Sequence, residues 1–211
     1  MSIFIDASNL SHIKTAMESG WVSGVTTNPL ILAQSELQPP EVLKRIKALC
    51  SGPIFYQLVS TTFNEMITEA HQAVAILEKQ LVVKLPPNEM GFRVCSELSS
   101  RMACCPTAIY SPAQALIARM AGAQYIAVYV NRATRLLGDG LEITKEISKV
   151  LMGSHTELLA ASLKSSTEAV AAFTAGAQHL TLPYDTYLAM SKHDLSDDAI
   201  EEFQKKGTGI V

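Results

Sequence analysis

The chain has 211 residues, with 17 Lys plus Arg against 20 Asp plus Glu and a net charge of −3. That length fits one domain, and the near-neutral balance argues against a nucleic-acid coat or an anionic-membrane binder. With 48% hydrophobic and only 18% charged residues, the chain can bury a large core, and the low charge hints at burial against copies of itself.

The N-terminal stretch MSIFIDASNL has neither the basic region nor the apolar core of a signal peptide. No apolar run reaches the ~18–20 residues that cross a bilayer. Cys50, Cys95, Cys104 and Cys105 lack metal-ligand spacing to one another or to the five histidines, so reduced thiols, no metal and a cytoplasmic location are expected.

The first apolar run, 3–8, carries Asp6 at the end of its IFID stretch, and Asp6 either caps the following helix or meets a ligand. The second, 23–28, runs into Thr26-Thr27-Asn28-Pro29, a turn with a cap or an amide at Asn28 that binds a hydroxyl. The third, 54–60, carries Gln57. A helix follows over 62–80, since Met66, Ala70, Ala73, Val74 and Leu77 share one face. Thr62 and Glu65 at its start have the spacing of a capping box.

The fourth run, 81–86, places Lys84 inside an apolar strand. Burying an unpaired ammonium is expensive, and desolvation favours the neutral amine that attacks a carbonyl. The alternative is a structural ion pair with Asp6.

The fifth run, 103–109, carries Thr107, and a helix over 112–121 follows, with Ser111 as its cap and Gly122 as its stop. The sixth, 125–130, carries Tyr125 at its start and Tyr129 at its end, with Asn131 and Arg132 beyond. The seventh, 157–162, ends in Ser162, with Lys164 close by. Arg132 and Ser162 suit an anion, although a surface arginine and a helix cap explain them singly. A helix over 165–175 stops at Gly176, and the eighth run is 179–184. GAQYIAVYV and GAQHLTLPY echo each other, each a helix stop running into a strand.

Eight continuous apolar runs alternating with helices define an α/β chain of parallel strands covered on both faces. No Gly-rich phosphate loop follows the first run, and eight is the number at which a parallel barrel closes. The expected fold is a single (β/α)₈ TIM barrel over 1–211, with a helical tail at about 195–211. Its C-terminal mouth would gather the polar strand ends.

The stretches FIDASN, GVTTNPLIL, FYQLVS, VVKLP, TAIYSPAQALIARMAGAQYIAVYVNR, LLAASLK and AGAQHLTLP, in that order, resemble the small transaldolase family, on its fructose-6-phosphate aldolase branch. The resemblance covers nearly the whole chain. It implies a class I aldolase with Lys84 as the Schiff-base residue and Asp6, Thr27 and Asn28 around the substrate. It implies that Gln57, Thr107 and Tyr129 hold a catalytic water, with Tyr129 relaying protons, and that Arg132 and Ser162 bind phosphate. It implies no cofactor, small-molecule ketone and sugar-phosphate partners, and pentamers or decamers.

In this family Gln57 and Tyr129 mark the aldolase branch, where transaldolases usually have glutamate and phenylalanine. The implied reaction is reversible cleavage of fructose 6-phosphate to dihydroxyacetone and glyceraldehyde 3-phosphate. Transfer of the dihydroxyacetone unit between sugar phosphates is the alternative, and a non-catalytic sugar-phosphate scaffold a third. The chain departs from the family at Val128, at Leu163, at the second proline, Pro87, and in a tail, EEFQKKGTGIV, that lacks a tryptophan.

Overall fold

A computed structural model describes residues 1–210. The chain runs β1 (Ser2–Asp6), α1 (Leu10–Glu18), β2 (Gly24–Thr26), α2 (Pro29–Leu32), α3 (Pro39–Leu49), β3 (Ile54–Gln57) and α4 (Phe63–Leu77), then a 3₁₀ turn (Glu78–Gln80). It continues through β4 (Leu81–Leu85), α5 (Glu89–Leu98), β5 (Ala103–Ile109), α6 (Pro112–Met120), β6 (Tyr125–Tyr129), α7 (Val130–Leu137) and α8 (Gly140–Leu151). It ends with β7 (Glu157–Ala161), α9 (Ser166–Thr174), β8 (His179–Leu182), α10 (Tyr184–Ala189) and α11 (Asp194–Lys206). The eight strands among the described residues pair in sequence order, all parallel, and β8 closes onto β1. The fold is the expected (β/α)₈ barrel.

Two apolar clusters show how the alternation along each strand is used. Ile5, Val25, Ile54, Val83, Leu85, Ile126, Val128, Leu158, Ala160 and Leu180 face outward and pack under the helices. Phe4, Phe55, Val82, Cys105, Tyr125, Ala127 and Leu159 face inward and fill the barrel. Its lower interior is an aromatic plug: Phe55 meets Phe4 at 5.0 Å and Tyr125 at 5.2 Å, both edge to face, and His179 leans on Phe4 and Tyr125. Tyr125 therefore belongs to the barrel's packing, below the mouth.

The echoed segments fold alike. Gly122 and Gly176 take positive φ (79° and 108°), and Ala123 and Ala177 each donate back to the residue five before, Ala118 and Ala172. That is the bonding of a Schellman stop. Gln124 and Gln178 then donate to carbonyls of the preceding strands, at Cys104 and Leu158, which sets the register of β6 and β8.

Some ends differ from expectation. The third run leaves the sheet at Gln57, because the Glu69 carboxylate takes the Val59 and Ser60 amides. Thr62 donates to the Glu65 side chain at 2.7 Å and makes no side-chain bond to the helix backbone, so the capping-box spacing here yields a side-chain pair. Ser111 and Ser165 do cap α6 and α9, accepting from Gln114 and Glu168 amides. In the tail, α11 ends at Lys206, before Gly207, and Val211 lies outside the described residues.

Candidate active site

Lys84 sits on β4 where the alternation turns it inward, above Val82, and it is 5% exposed. Its Nζ donates to the Thr27 carbonyl at 2.8 Å. Among the described residues no ion pair involves Lys84, so the expected alternative of a direct bridge to Asp6 is not formed. The carbonyl orients the amine without neutralising it by a contact charge.

Asp6 ends β1 and shares the cavity wall with Lys84. Its Oδ1 accepts from the Thr26 hydroxyl at 2.6 Å, and the Thr26 Oγ1 lies 2.6 Å from the Thr181 Oγ1. Burial holds the Asp6 carboxyl above the usual carboxylate range, with the charge of Lys84 and the Thr26 bond partly offsetting it. Asn9, not Asp6, caps α1.

A cavity of about 620 Å³ opens above these groups at the C-terminal ends of the strands. Asp6, Asn28, Gln57, Lys84, Tyr129, Arg132 and Ser162, seven residues singled out in the sequence, all line it. Asn28 serves two ends: its Oδ1 caps α2 by accepting from the Ile31 amide at 3.0 Å, while the residue lines the cavity. Thr27 lies behind the wall, fully buried. Its hydroxyl donates to the Phe55 carbonyl, and its backbone carbonyl holds Lys84.

Thr107 is buried and, unlike the next residue, Ala108, does not itself line the cavity. Its Oγ1 and the Gln57 Oε1 are buried with no protein partner among the described residues. Buried polar atoms are normally paired, so two orphans near one cavity suit an ordered water or a ligand polar group. β5 bulges beside Thr107, where Ala108 takes φ 60° and lines the cavity. Such bulges re-aim side chains near sites.

Tyr129 ends β6, and the Arg132 guanidinium stands 5.0 Å over its ring. Ser162 follows β7 with φ 61°, a conformation that favours glycine. With Lys164, which also lines the cavity, this corner holds two cations and a hydroxyl. Thr26, named in the sequence only as part of the turn before Asn28, lines the cavity too, as do Gln34 and Thr181, which sequence reading did not single out. Period-two counting from His179 would have turned Thr181 inward, but threonine is ordinary in strands and gave no signal of its own. No cluster of three or more metal-type ligands occurs among the described residues.

The parallel eight-stranded barrel gathers polar strand ends around an inward lysine at its C-terminal mouth, the end where barrels of this kind carry their active sites. Residues 3–209 match the sequence model of the Transaldolase/Fructose-6-phosphate aldolase family, and the chain belongs to that family of carbohydrate metabolism. It is similar to a probable transaldolase of Symbiobacterium thermophilum, 36% identical, with 97% of this chain and 96% of that one covered. A probable transaldolase of Geobacter metallireducens is likewise 36% identical over 97% of each chain. Among solved structures it is similar in fold to thiamine phosphate pyrophosphorylase from Pyrococcus furiosus, with TM-score 0.61, 17% identity and coverage of 97% and 94%. A mandelate oxidase variant has TM-score 0.64 at 16% identity, covering 97% of this chain and 71% of that one. Those two likenesses concern the barrel alone.

Proposed function

We propose that the protein is a class I aldolase that reversibly cleaves fructose 6-phosphate, or a related ketol, to dihydroxyacetone and glyceraldehyde 3-phosphate. The observation that carries this reading is Lys84, a buried amine at a polar cavity, bonded only to a carbonyl. In its neutral form it would attack the substrate ketone and, after loss of water, give an imine. The protonated imine draws electrons from the adjacent C–C bond. Asp6, its carboxyl raised by burial, would take the proton of the neighbouring hydroxyl as that bond breaks and the aldehyde leaves. The remaining enamine is protonated at carbon, and water then releases the free ketone from Lys84.

Gln57 and Thr107 would hold that water through their unpaired oxygens, and Tyr129 would relay its proton. Asn28 would hold a substrate hydroxyl, with Thr27 supporting Lys84 through its carbonyl. Arg132, Ser162 and Lys164 would take the phosphate at the far end of the cavity.

The names of the relatives favour a second reading, transaldolase, in which the enamine is captured by an acceptor aldehyde. Two measurements test both. Borohydride reduction with dihydroxyacetone or fructose 6-phosphate should leave a reduced adduct on Lys84, and an unlabelled Lys84 beside a labelled control aldolase would overturn both readings in favour of a binding scaffold. Free dihydroxyacetone released from fructose 6-phosphate without erythrose 4-phosphate marks the aldolase. Turnover only with that acceptor marks the transaldolase. The reading includes self-association, supported by Leu195, Ile200 and Phe203, which lie exposed along the tail helix.

A further inference from the structure

Ser165 to Glu168 has the spacing of a capping box, in which the glutamate would turn back onto the amide of the capping residue. Only half of that box forms. Ser165 Oγ accepts from the Glu168 amide at 3.1 Å, but the Glu168 carboxylate goes elsewhere. Its Oε2 accepts from the Lys164 amide at 2.7 Å, and its Oε1 accepts from the Asn131 side-chain amide at 3.0 Å. One carboxylate thus ties the loop after β7 to the first turn of α7. Arg132 is the next residue after Asn131, while Ser162 and Lys164 lie on the other loop, and all three line the cavity.

The Ser162–Lys164 turn needs an anchor. Ser162 has φ 61°, a strained value for a residue with a side chain, and the Lys164 amide is the first group beyond the buried Leu163 that the rest of the protein holds. Glu168 is half-buried, so its two bonds are only partly exposed to water.

We propose that Glu168 is a positioning residue that clamps the two loops together, so that Arg132, Ser162 and Lys164 converge on one phosphate. The proposal rests on the phosphate assignment made under the proposed function. The sign of the effect separates it from plain electrostatics. As a bare charge, Glu168 repels a phosphate, and its removal would tighten phosphate binding. As a clamp, its removal loosens the site despite the charge lost.

The test is steady-state kinetics of Glu168→Ala and Asn131→Ala with fructose 6-phosphate, and with a matched unphosphorylated ketol pair. The backbone cap from Ser165 survives in both, and thermal unfolding checks that each variant folds. For Glu168→Ala, KM for the phosphorylated substrate should rise about tenfold, the scale of one lost charge-assisted bond. Its kcat and the kinetics of the unphosphorylated pair should hold. Asn131→Ala should show a smaller rise in the same direction, and Glu168→Gln, which keeps one acceptor oxygen, should recover part of the loss. An unchanged or lowered KM in Glu168→Ala would overturn the clamp. Arg132→Ala is the control for the underlying assignment: if it fails to discriminate phosphorylated from unphosphorylated substrates, the phosphate site itself is misplaced. If it discriminates and Glu168→Ala does not, only the clamp fails.

Discussion

At the scale of single residues, the proposed chemistry rests on a few groups with different surroundings. Lys84→Met keeps an apolar stem in a buried slot, so the fold should persist while catalysis falls to background. Circular dichroism and an aldol-cleavage assay check this together. Arg132→Ala should weaken phosphorylated substrates by the ~1.5–3 kcal/mol of a charge-assisted bond and spare unphosphorylated ones. Asp6 carries a pH signature. Burial first, against the pull of Lys84 and Thr26, holds its carboxyl above the usual range. The folded state then keeps that proton to higher pH than the unfolded chain, so ionisation costs stability above the ordinary carboxylate value. Asp6→Asn should therefore raise the melting temperature at pH 7, by about 2–4 °C per kcal/mol relieved. The gain should fade as pH falls below the carboxylate range, where Asp6 is neutral folded and unfolded. A variant less stable at pH 7 than at pH 3, each relative to the wild type, would contradict this.

At the scale of elements, the strands were legible because parallel strands buried on both faces read as continuous apolar runs, and each of the eight runs became a strand. Lys84 was legible for the same reason, as a charge interrupting one of those runs. What the pattern could not carry were features that depend on contacts distant in the chain. The third run lost its last residues to Glu69, whose carboxylate also accepts from Tyr56. Burial works to raise the Glu69 carboxyl, but bonds from Ser60, Tyr56 and Val59 outweigh it and hold it below the usual range. The diversion of Glu168 was equally hidden, since its sequence spacing signals only a local cap. The bulge at Ala108 was invisible because alanine gives no sign of a positive φ. There Ala108→Gly should leave stability unchanged or raise it by up to about 1 kcal/mol, since relief of a left-handed side chain offsets glycine's entropy. A clear loss in urea unfolding would show that the methyl group, which lines the cavity, packs more than it strains.

At the scale of the whole molecule, the barrel and its tail obey different physics. The barrel hides its apolar surface twice, inside the aromatic plug and under the helices. The tail helix α11 buries none of its residues, although Leu195, Ile200 and Phe203 give it apolar surface. A helix of this length is marginal in water without a surface to pack on. Five acidic residues precede the two lysines at its end, with Lys205 and Lys206 paired to Glu201 and Glu202, so local charge supports the helix but leaves its apolar side uncovered. The proposed self-association would cover that side, in keeping with the low charged share of the chain. Removing residues 194–211 should therefore leave a folded barrel whose melting transition remains cooperative, while sedimentation reports a smaller assembly than the full chain. If the truncated barrel kept the full chain's assembly state, the contacts between copies would lie on the barrel wall, where Leu116, Met120 and Phe173 are the exposed apolar groups to substitute next.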